Sequence, residues 1–84
     1  MQDKARNLTN GVLFDEDYAL KGDREVRDVT VNDKTITITI AVERANDAAT
    51  RFAMEDGIRQ AVSAQFPEAT VRVISVAMDG EDEP

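Results

Sequence analysis

Residues 35–42 read TITITIAV, an unbroken alternation of apolar side chains with polar or small ones. Successive side chains on a β-strand point to opposite sides of the sheet, and the β-branched residues isoleucine, valine and threonine favour strands. One side of this predicted strand consists of Ile36, Ile38, Ile40 and Val42. The other side consists of Thr35, Thr37, Thr39 and Ala41. The alternation therefore predicts a sheet with one buried side and one solvated side.

The length and charge of the chain limit its size class and its partners. With 84 residues it forms one domain, with room for one sheet against one or two helices. The 17 acidic and 10 basic residues give a net charge of −7, and the basic residues are spread singly along the chain. We therefore expect no binding to nucleic acid or to anionic membranes. No segment has the apolar length of a signal peptide or a membrane span, so a cytoplasmic location is expected.

The absence of cysteine and histidine limits the chemistry of the chain. Zinc, haem and cysteine-ligated iron–sulfur sites need these ligands, so none of them is built within one copy. Two carboxylate pairs, Glu43 with Asp47 and Glu55 with Asp56, are of the type used in acid–base catalysis. A strand end, a helix cap and surface ion pairs account for the same residues. We therefore expect no enzymatic activity, no cofactor, no metal and no small-molecule substrate.

The first 22 residues give weaker signals. Residues 1–7 are polar and are predicted to be a flexible N-terminus. Residues 8–14 surround the pair Asn10-Gly11, which favours a turn, and predict an edge strand or an extended segment over the core. A helix of about two turns is predicted between Asp15, a suitable N-cap, and Gly22, which suits the left-handed position after a helix.

A β-hairpin is predicted next. Residues 25–32 form its first strand, in which Val26 is out of phase with the valines that follow, and this predicts a β-bulge. The sequence NDK at residues 32–34 consists of turn residues. The first strand should therefore fold back antiparallel onto the second strand, residues 35–44.

The main helix has clear limits. Asn46 and Asp47 are both suitable N-caps. The helix should run to residue 65 or 66, because Pro67 prevents its continuation. Its predicted core stripe consists of Met54, Ile58, Ala61, Val62 and Phe66.

A third strand and an acidic tail complete the chain. Residues 70–78 form the strand, and its apolar side is predicted to change from Val71 and Val73 to Ile74, Val76 and Met78. Residues 79–84, DGEDEP, are predicted to be disordered. The predicted fold is α+β with the order (short α)-β-β-α-β. It has a three-stranded mixed sheet with one main helix packed on one face, in a single domain over residues 8–78.

The threonine side of the second strand and the entry to the main helix are the candidate functional regions. A threonine ladder is commonly a plain solvent-facing surface, and a flat, weakly polar face also suits dimerisation or a partner protein. The sequence leaves both interpretations open. The candidate interaction surface consists of Thr35, Thr37, Thr39, Glu43, Arg44, Asn46 and Asp47.

Two segments, GDREVRDVTVNDKTITITIAV and AMEDGIRQAVSAQFPEATVRVISV, carry a family resemblance over about residues 22–78. The VRDVTV strand, the alternating second strand, the EDGIRQAV helix and the closing VRV strand resemble the small iron–sulfur-assembly domain family. That family includes the SufT/PaaD-like proteins and the N-terminal domain of Mrp-type ATPases. Many members carry a cysteine at the helix entry, where residues 43–47 of this chain read ERAND. No functional residue is therefore carried over.

These observations predict a non-enzymatic protein-interaction module, which the resemblance makes accessory to iron–sulfur cluster assembly. The alternative is a structural domain that builds dimers or rings, as in alkaline-shock-like proteins and ring-forming secretion domains that share this order of elements. A KH-like RNA-binding module has a comparable order, but the chain has no GxxG loop and its acidic charge opposes RNA. We expect the binding partner to be another protein or a second copy of the chain.

Overall fold

The structure is a computed structural model that describes residues 2–15 and 20–78. Its elements follow in the order α1 (Gln2–Leu13), β1 (Arg24–Asn32), β2 (Thr35–Val42), α2 (Ala48–Gln65) and β3 (Thr70–Ala77). The three strands form one sheet in the order β1-β2-β3, with β1 antiparallel and β3 parallel to the central strand β2. The predicted α+β class, element order and mixed sheet are confirmed.

The hairpin of β1 and β2 has the predicted turn and bulge. Asp33 lies in the turn with φ of 60°, the left-handed region that aspartate tolerates better than most residues. The register of the two strands shifts between Val26 and Asp28. The bulge predicted from the phase of Val26 is therefore present.

The core lies on the isoleucine side of β2. Ile36, Ile38 and Ile40 are fully buried there. Three residues of the predicted α2 stripe pack on the same side and are also fully buried: Met54, Ile58 and Val62. Asp47 is the N-cap of α2, and Phe66 is its C-cap directly before Pro67. The alternation in β2 and the limits of the main helix are thus confirmed.

The first helix lies elsewhere than predicted. α1 covers residues 2–13, where we expected a flexible N-terminus over 1–7 and an edge strand or extended segment over 8–14. Its buried side consists of Ala5, Thr9 and Leu13, four residues apart, and the Thr9 hydroxyl donates to the Ala5 carbonyl at 2.7 Å. Because Ala5 and Thr9 have small side chains, the buried side of α1 gives only a weak apolar pattern in the sequence. The helix is held by packing against the sheet and α2 rather than by its own propensity, so the packed unit begins before residue 8.

The helix predicted between Asp15 and Gly22 falls largely outside the described residues, as does the disordered tail predicted for residues 79–84. Within the described part, Leu20 and Lys21 are not helical. Gly22 has a φ of 73°, and a Cβ at this position would collide with the carboxylate of Glu43. The left-handed backbone at residue 22 therefore favours glycine, whereas the Glu43 carboxylate is the flexible end of a side chain and could move aside.

β3 keeps a single phase, contrary to the predicted change. Its pairing with β2 runs without a shift from Thr35–Thr70 to Val42–Ala77. Ile74 and Val76 therefore lie on the side of the sheet opposite the core, and Ile74 is 41% exposed. The prediction was wrong because β3 carries apolar side chains on both of its sides, so its sequence has no unique phase.

Candidate interaction surface

The threonine side of β2 forms the middle of a sheet face that we call the outer face. Thr35, Thr37 and Thr39 are half-buried on this face. Their ladder partners extend it over both neighbouring strands: Asn32, Thr30 and Asp28 on β1, and Thr70, Arg72 and Ile74 on β3. Both α1 and α2 contribute to the core cluster on the opposite side of the sheet. Within residues 2–15 and 20–78, no helix therefore covers the outer face.

The outer face carries opposite charges at its two edges. Asp28 on β1 is exposed and lies beside Thr39, while Arg72 on β3 is exposed and lies beside Thr37. Ile74 adds an apolar group on the β3 side. The outer face thus has Thr35, Thr37 and Thr39 at its centre, which we call the threonine strip. Its β1 edge is acidic, and its β3 edge is basic and partly apolar.

The accessible part of the outer face ends at Ala41. Ala41 is fully buried, although it lies on this side and is not part of the core cluster. Its ladder partners are Glu25 and Val76, which both have longer side chains. Glu25 also forms an ion pair with Arg27 at 2.8 Å. The surface available to a partner therefore runs from Thr35 to Thr39.

Asn46 is used inside the molecule rather than on its surface. It is 4% exposed, and its side chain bonds to both backbone groups of Lys21: Oδ1 accepts from the N–H at 2.7 Å and Nδ2 donates to the carbonyl at 3.0 Å. Nδ2 also donates to the Glu43 carbonyl at 2.9 Å. Asn46 therefore fastens the segment before β1 to the loop between β2 and α2.

The other predicted residues of the helix entry are also largely occupied. The Glu43 carboxylate accepts a hydrogen bond from the Asp23 N–H. Asp47 accepts from the Thr50 N–H at 2.8 Å, and its hydrogen bonds with Thr50 hold the pKa of its carboxyl below the usual value. Arg44 is exposed in the turn between β2 and α2. Glu43, Asn46 and Asp47 thus mainly join segments of the chain, while the threonines and Arg44 remain accessible at the surface.

Two members of the outer face, Arg72 and Ile74, were not predicted from the sequence. Both belong to β3, whose phase was assigned wrongly. The usable signal was the regular spacing of Val71 and Val73, which places Arg72 and Ile74 together on the other side if the alternation simply continues.

A cleft of about 410 Å³ lies at the end of the sheet where β2 and β3 begin. It is lined by Asp33, Lys34, Gln65, Phe66, Pro67, Glu68 and Ala69. Lys4 of α1 lies over the ring of Phe66, with Nζ 5.8 Å from the ring centroid. The charged lining residues of this cleft are exposed. It therefore lacks, among the described residues, the buried titratable groups that are typical of active sites.

In the described part of the chain, no group of three or more histidine, cysteine, aspartate or glutamate side chains is placed to hold a metal ion. Neither described helix is both long and apolar enough to cross a membrane. No protein-family model, curated protein or solved structure matches the chain. The interpretation of the outer face therefore rests on the residues of this chain alone.

Proposed function

We propose that this domain is a non-enzymatic interaction module that binds a partner protein through the outer face of its sheet. The observation that supports the proposal is the asymmetry of the sheet: two helices cover one side, and no helix of the described residues covers the other. The threonines lie on the central strand, which is fixed by pairing on both sides. Their hydroxyls both donate and accept hydrogen bonds, so the rigid face offers contacts at little ordering cost.

The charges of the outer face define the kind of protein surface that it fits. Asp28 favours a basic group opposite β1, and Arg72 favours an acidic group opposite β3. Ile74 favours an apolar contact beside that acidic group. We therefore propose a flat partner surface with charges of opposite sign on either side of a weakly polar strip, an arrangement that fixes the orientation of binding.

Photo-crosslinking from the outer face tests this function. A small diazirine-bearing residue is placed at Thr37, and the matched control carries it at Gln60, which is exposed on α2. In a native extract, we expect one adduct of defined mass from position 37, which excess unlabelled domain displaces, and no such adduct from position 60. No competed adduct from position 37, or the same adduct from both positions, would overturn the proposal.

The resemblance to the iron–sulfur-assembly domain family supports a more specific form of this proposal, in which the partner is an iron–sulfur assembly factor. With ERAND at residues 43–47 in place of the family cysteine, the chain would hold that factor by surface contacts rather than by ligating metal. Mass spectrometry of the adduct from position 37 decides the point. An assembly factor is expected, and a partner of another class would contradict this form while leaving the interaction function in place.

A structural domain that builds dimers is the second candidate function, and the position of β3 favours it. β3 is the last strand on its side of the sheet in the described residues. Open strand edges carry unpaired backbone groups that favour pairing with another strand.

A further inference from the structure

The two edge strands of the sheet, β1 and β3, differ in how the rest of the chain contacts their outer backbone groups. On β1, side chains of α1 reach the backbone: Gln2 Nε2 donates to the Val29 carbonyl, and Arg6 Nη1 donates to the Val26 carbonyl at 3.5 Å. The bulge between Val26 and Asp28 also interrupts the regular edge. Both features are known protections against unwanted strand pairing. The β1 edge is therefore partly protected against pairing with another strand.

One hydrogen bond establishes which residues of β3 direct their backbone groups toward β2 and which direct them away from it. The Thr70 N–H donates to the Lys34 carbonyl at 2.7 Å, at the start of the parallel ladder between β2 and β3. In a parallel ladder, alternate residues direct both backbone groups to the same neighbour. Every second residue from Thr70 onward therefore bonds to β2. The residues between them point to the open edge: Val71, Val73, Ser75 and Ala77.

This edge lacks the protection seen on β1. In the described part of the chain, no strand lies beyond β3 and no side-chain hydrogen bond reaches the backbone of Val71 or Val73. The strand TVRVISVA is also regular and largely apolar, and Arg72 is its one charged residue. Such an edge is a template for another extended strand.

We propose that a second copy of this chain pairs antiparallel with the open edge of β3, joining the two sheets into one. The four outward-pointing residues are placed symmetrically about Ile74. When Ile74 lies opposite Ile74 of the partner subunit, Val73 pairs with the partner's Ser75 and Val71 pairs with the partner's Ala77. Any regular edge strand can pair with itself in this way, as a two-fold interface requires. A second copy is favoured here because this register covers two of the exposed large apolar side chains, Ile74 and Phe52, and opposes no like charges.

The side chains agree with this register. On the outer face, the partly exposed Ile74 meets the same residue of the partner across a closely spaced pair. Arg72 lies opposite the partner's Val76, so no like charges face each other across the junction. The pairing rests on the second candidate function and makes no use of the threonine strip.

Phe52 supplies a second contact on the helical side of the sheet. Glu55 of α2 accepts a hydrogen bond from the Ser75 hydroxyl, so this flank of α2 faces β3. Phe52 precedes Glu55 by three residues and lies on the same flank, where it is 66% exposed. Strand pairing would bring the α2 helices of the two copies side by side, and the exposed Phe52 ring would then be covered by the partner's α2.

Sedimentation analysis of the purified chain tests the pairing. Because each copy carries a charge of −7, the measurement is made in about 0.5 M salt, which screens repulsion between copies. We expect a monomer–dimer equilibrium between about 10 μM and 1 mM. Ile74→Lys places two like charges opposite each other at the two-fold axis and should raise the dissociation constant at least about tenfold. Thr30→Lys, on the same face but on β1, two strands from the β3 edge, should leave the dissociation constant unchanged.

Amide hydrogen exchange gives a readout that does not depend on a variant. Protection of the Val73 and Ser75 amides should increase with protein concentration, while that of Arg72 and Ile74, already bonded to β2, should not change. A monomer at all concentrations, or a dimer in which Val73 and Ser75 stay unprotected, would overturn the proposal. Since Thr30→Lys changes the outer face beside Thr37 and not the β3 edge, loss of the position-37 adduct without loss of dimer separates failure of the outer-face function from failure of this pairing.

Discussion

Replacing Ile38 with alanine should strongly destabilise the domain and leave it with about 3 kcal/mol of unfolding free energy or less. Ile38 is fully buried on the central strand, where its ladder partners are Val29 on β1 and Val73 on β3. Removing its side chain costs about 2–5 kcal/mol, through lost apolar burial and the cavity that remains. A domain of this size has on the order of 5 kcal/mol of stability in total. The substitution therefore removes a large share, about two fifths or more, of the free energy of unfolding.

Urea denaturation of the variant and of a neighbouring control measures this effect. Thr37→Val changes the adjacent residue of the same strand on the outer face and keeps its β-branched shape, so a change within about 0.5 kcal/mol is expected. Ile38→Val removes one methylene and should cost about 0.5–1.5 kcal/mol. A free energy of unfolding for Ile38→Ala equal to that of Thr37→Val would contradict the assignment of the two sides of β2.

Replacing Asn46 with alanine is expected to have the second largest effect. The buried amide makes three hydrogen bonds to the backbone of Lys21 and Glu43, at 2.7, 3.0 and 2.9 Å. Alanine would leave the N–H and carbonyl of Lys21 without their partner, while the Glu43 carbonyl keeps the backbone N–H of residue 46 at 3.1 Å, and we expect a loss of about 2–4 kcal/mol. The Lys21 amide should also exchange its hydrogen much faster in the variant, because its acceptor is removed.

Asn7→Ala is the matched control for this prediction. Asn7 is exposed on α1, where alanine has the higher helix propensity, so its free energy of unfolding should stay equal or rise by up to about 0.7 kcal/mol. If Asn46→Ala were as stable as Asn7→Ala and kept the exchange rate of Lys21, Asn46 would not be the joint between the two loops.

The parts of the fold that were predicted correctly have strong local signals. The alternation of β2 assigns each residue to a side of the sheet, because a shift by one residue would bury every threonine. Asp47 and Pro67 limit α2, since a cap and a residue that cannot continue a helix act at defined positions. The out-of-phase Val26 indicated the bulge for a similar reason: an extra residue in one strand displaces its pattern.

The errors have a common physical cause: the structure of these segments depends on packing against residues that are distant in the sequence. α1 buries Ala5 and Thr9, whose small side chains give no apolar periodicity, and the pair Asn10-Gly11 indicated a turn. Gly11 lies within the helix, although a Cβ at this position would meet only open space, so no close packing accounts for the glycine. The burial of Asn46 likewise depends on Lys21, 25 residues away, so its role as a joint has no local signature.

The candidate site was predicted in part. The three threonines lie on the side of β2 expected from the alternation, and no described helix covers that side. Arg72 and Ile74 were missed because the sides of β3 are distinguished only by its pairing with β2. β3 carries apolar residues on both of its sides, so its sequence does not show which side faces the core. The pairing with β2 assigns Arg72 and Ile74 to the outer face.

The central claim is that the chain leaves the threonine side of its sheet open for binding, and methyl relaxation by a soluble gadolinium reagent tests it most directly. In dilute monomeric protein, the methyl groups of Thr37 and Thr39 should relax strongly, while those of Ile38 and Ile40 should be shielded. Ala41, which is buried on the same face, provides an internal control and should be shielded as well. Threonine methyls as shielded as those of Ile38 would show that the outer face is already covered, and would contradict this account.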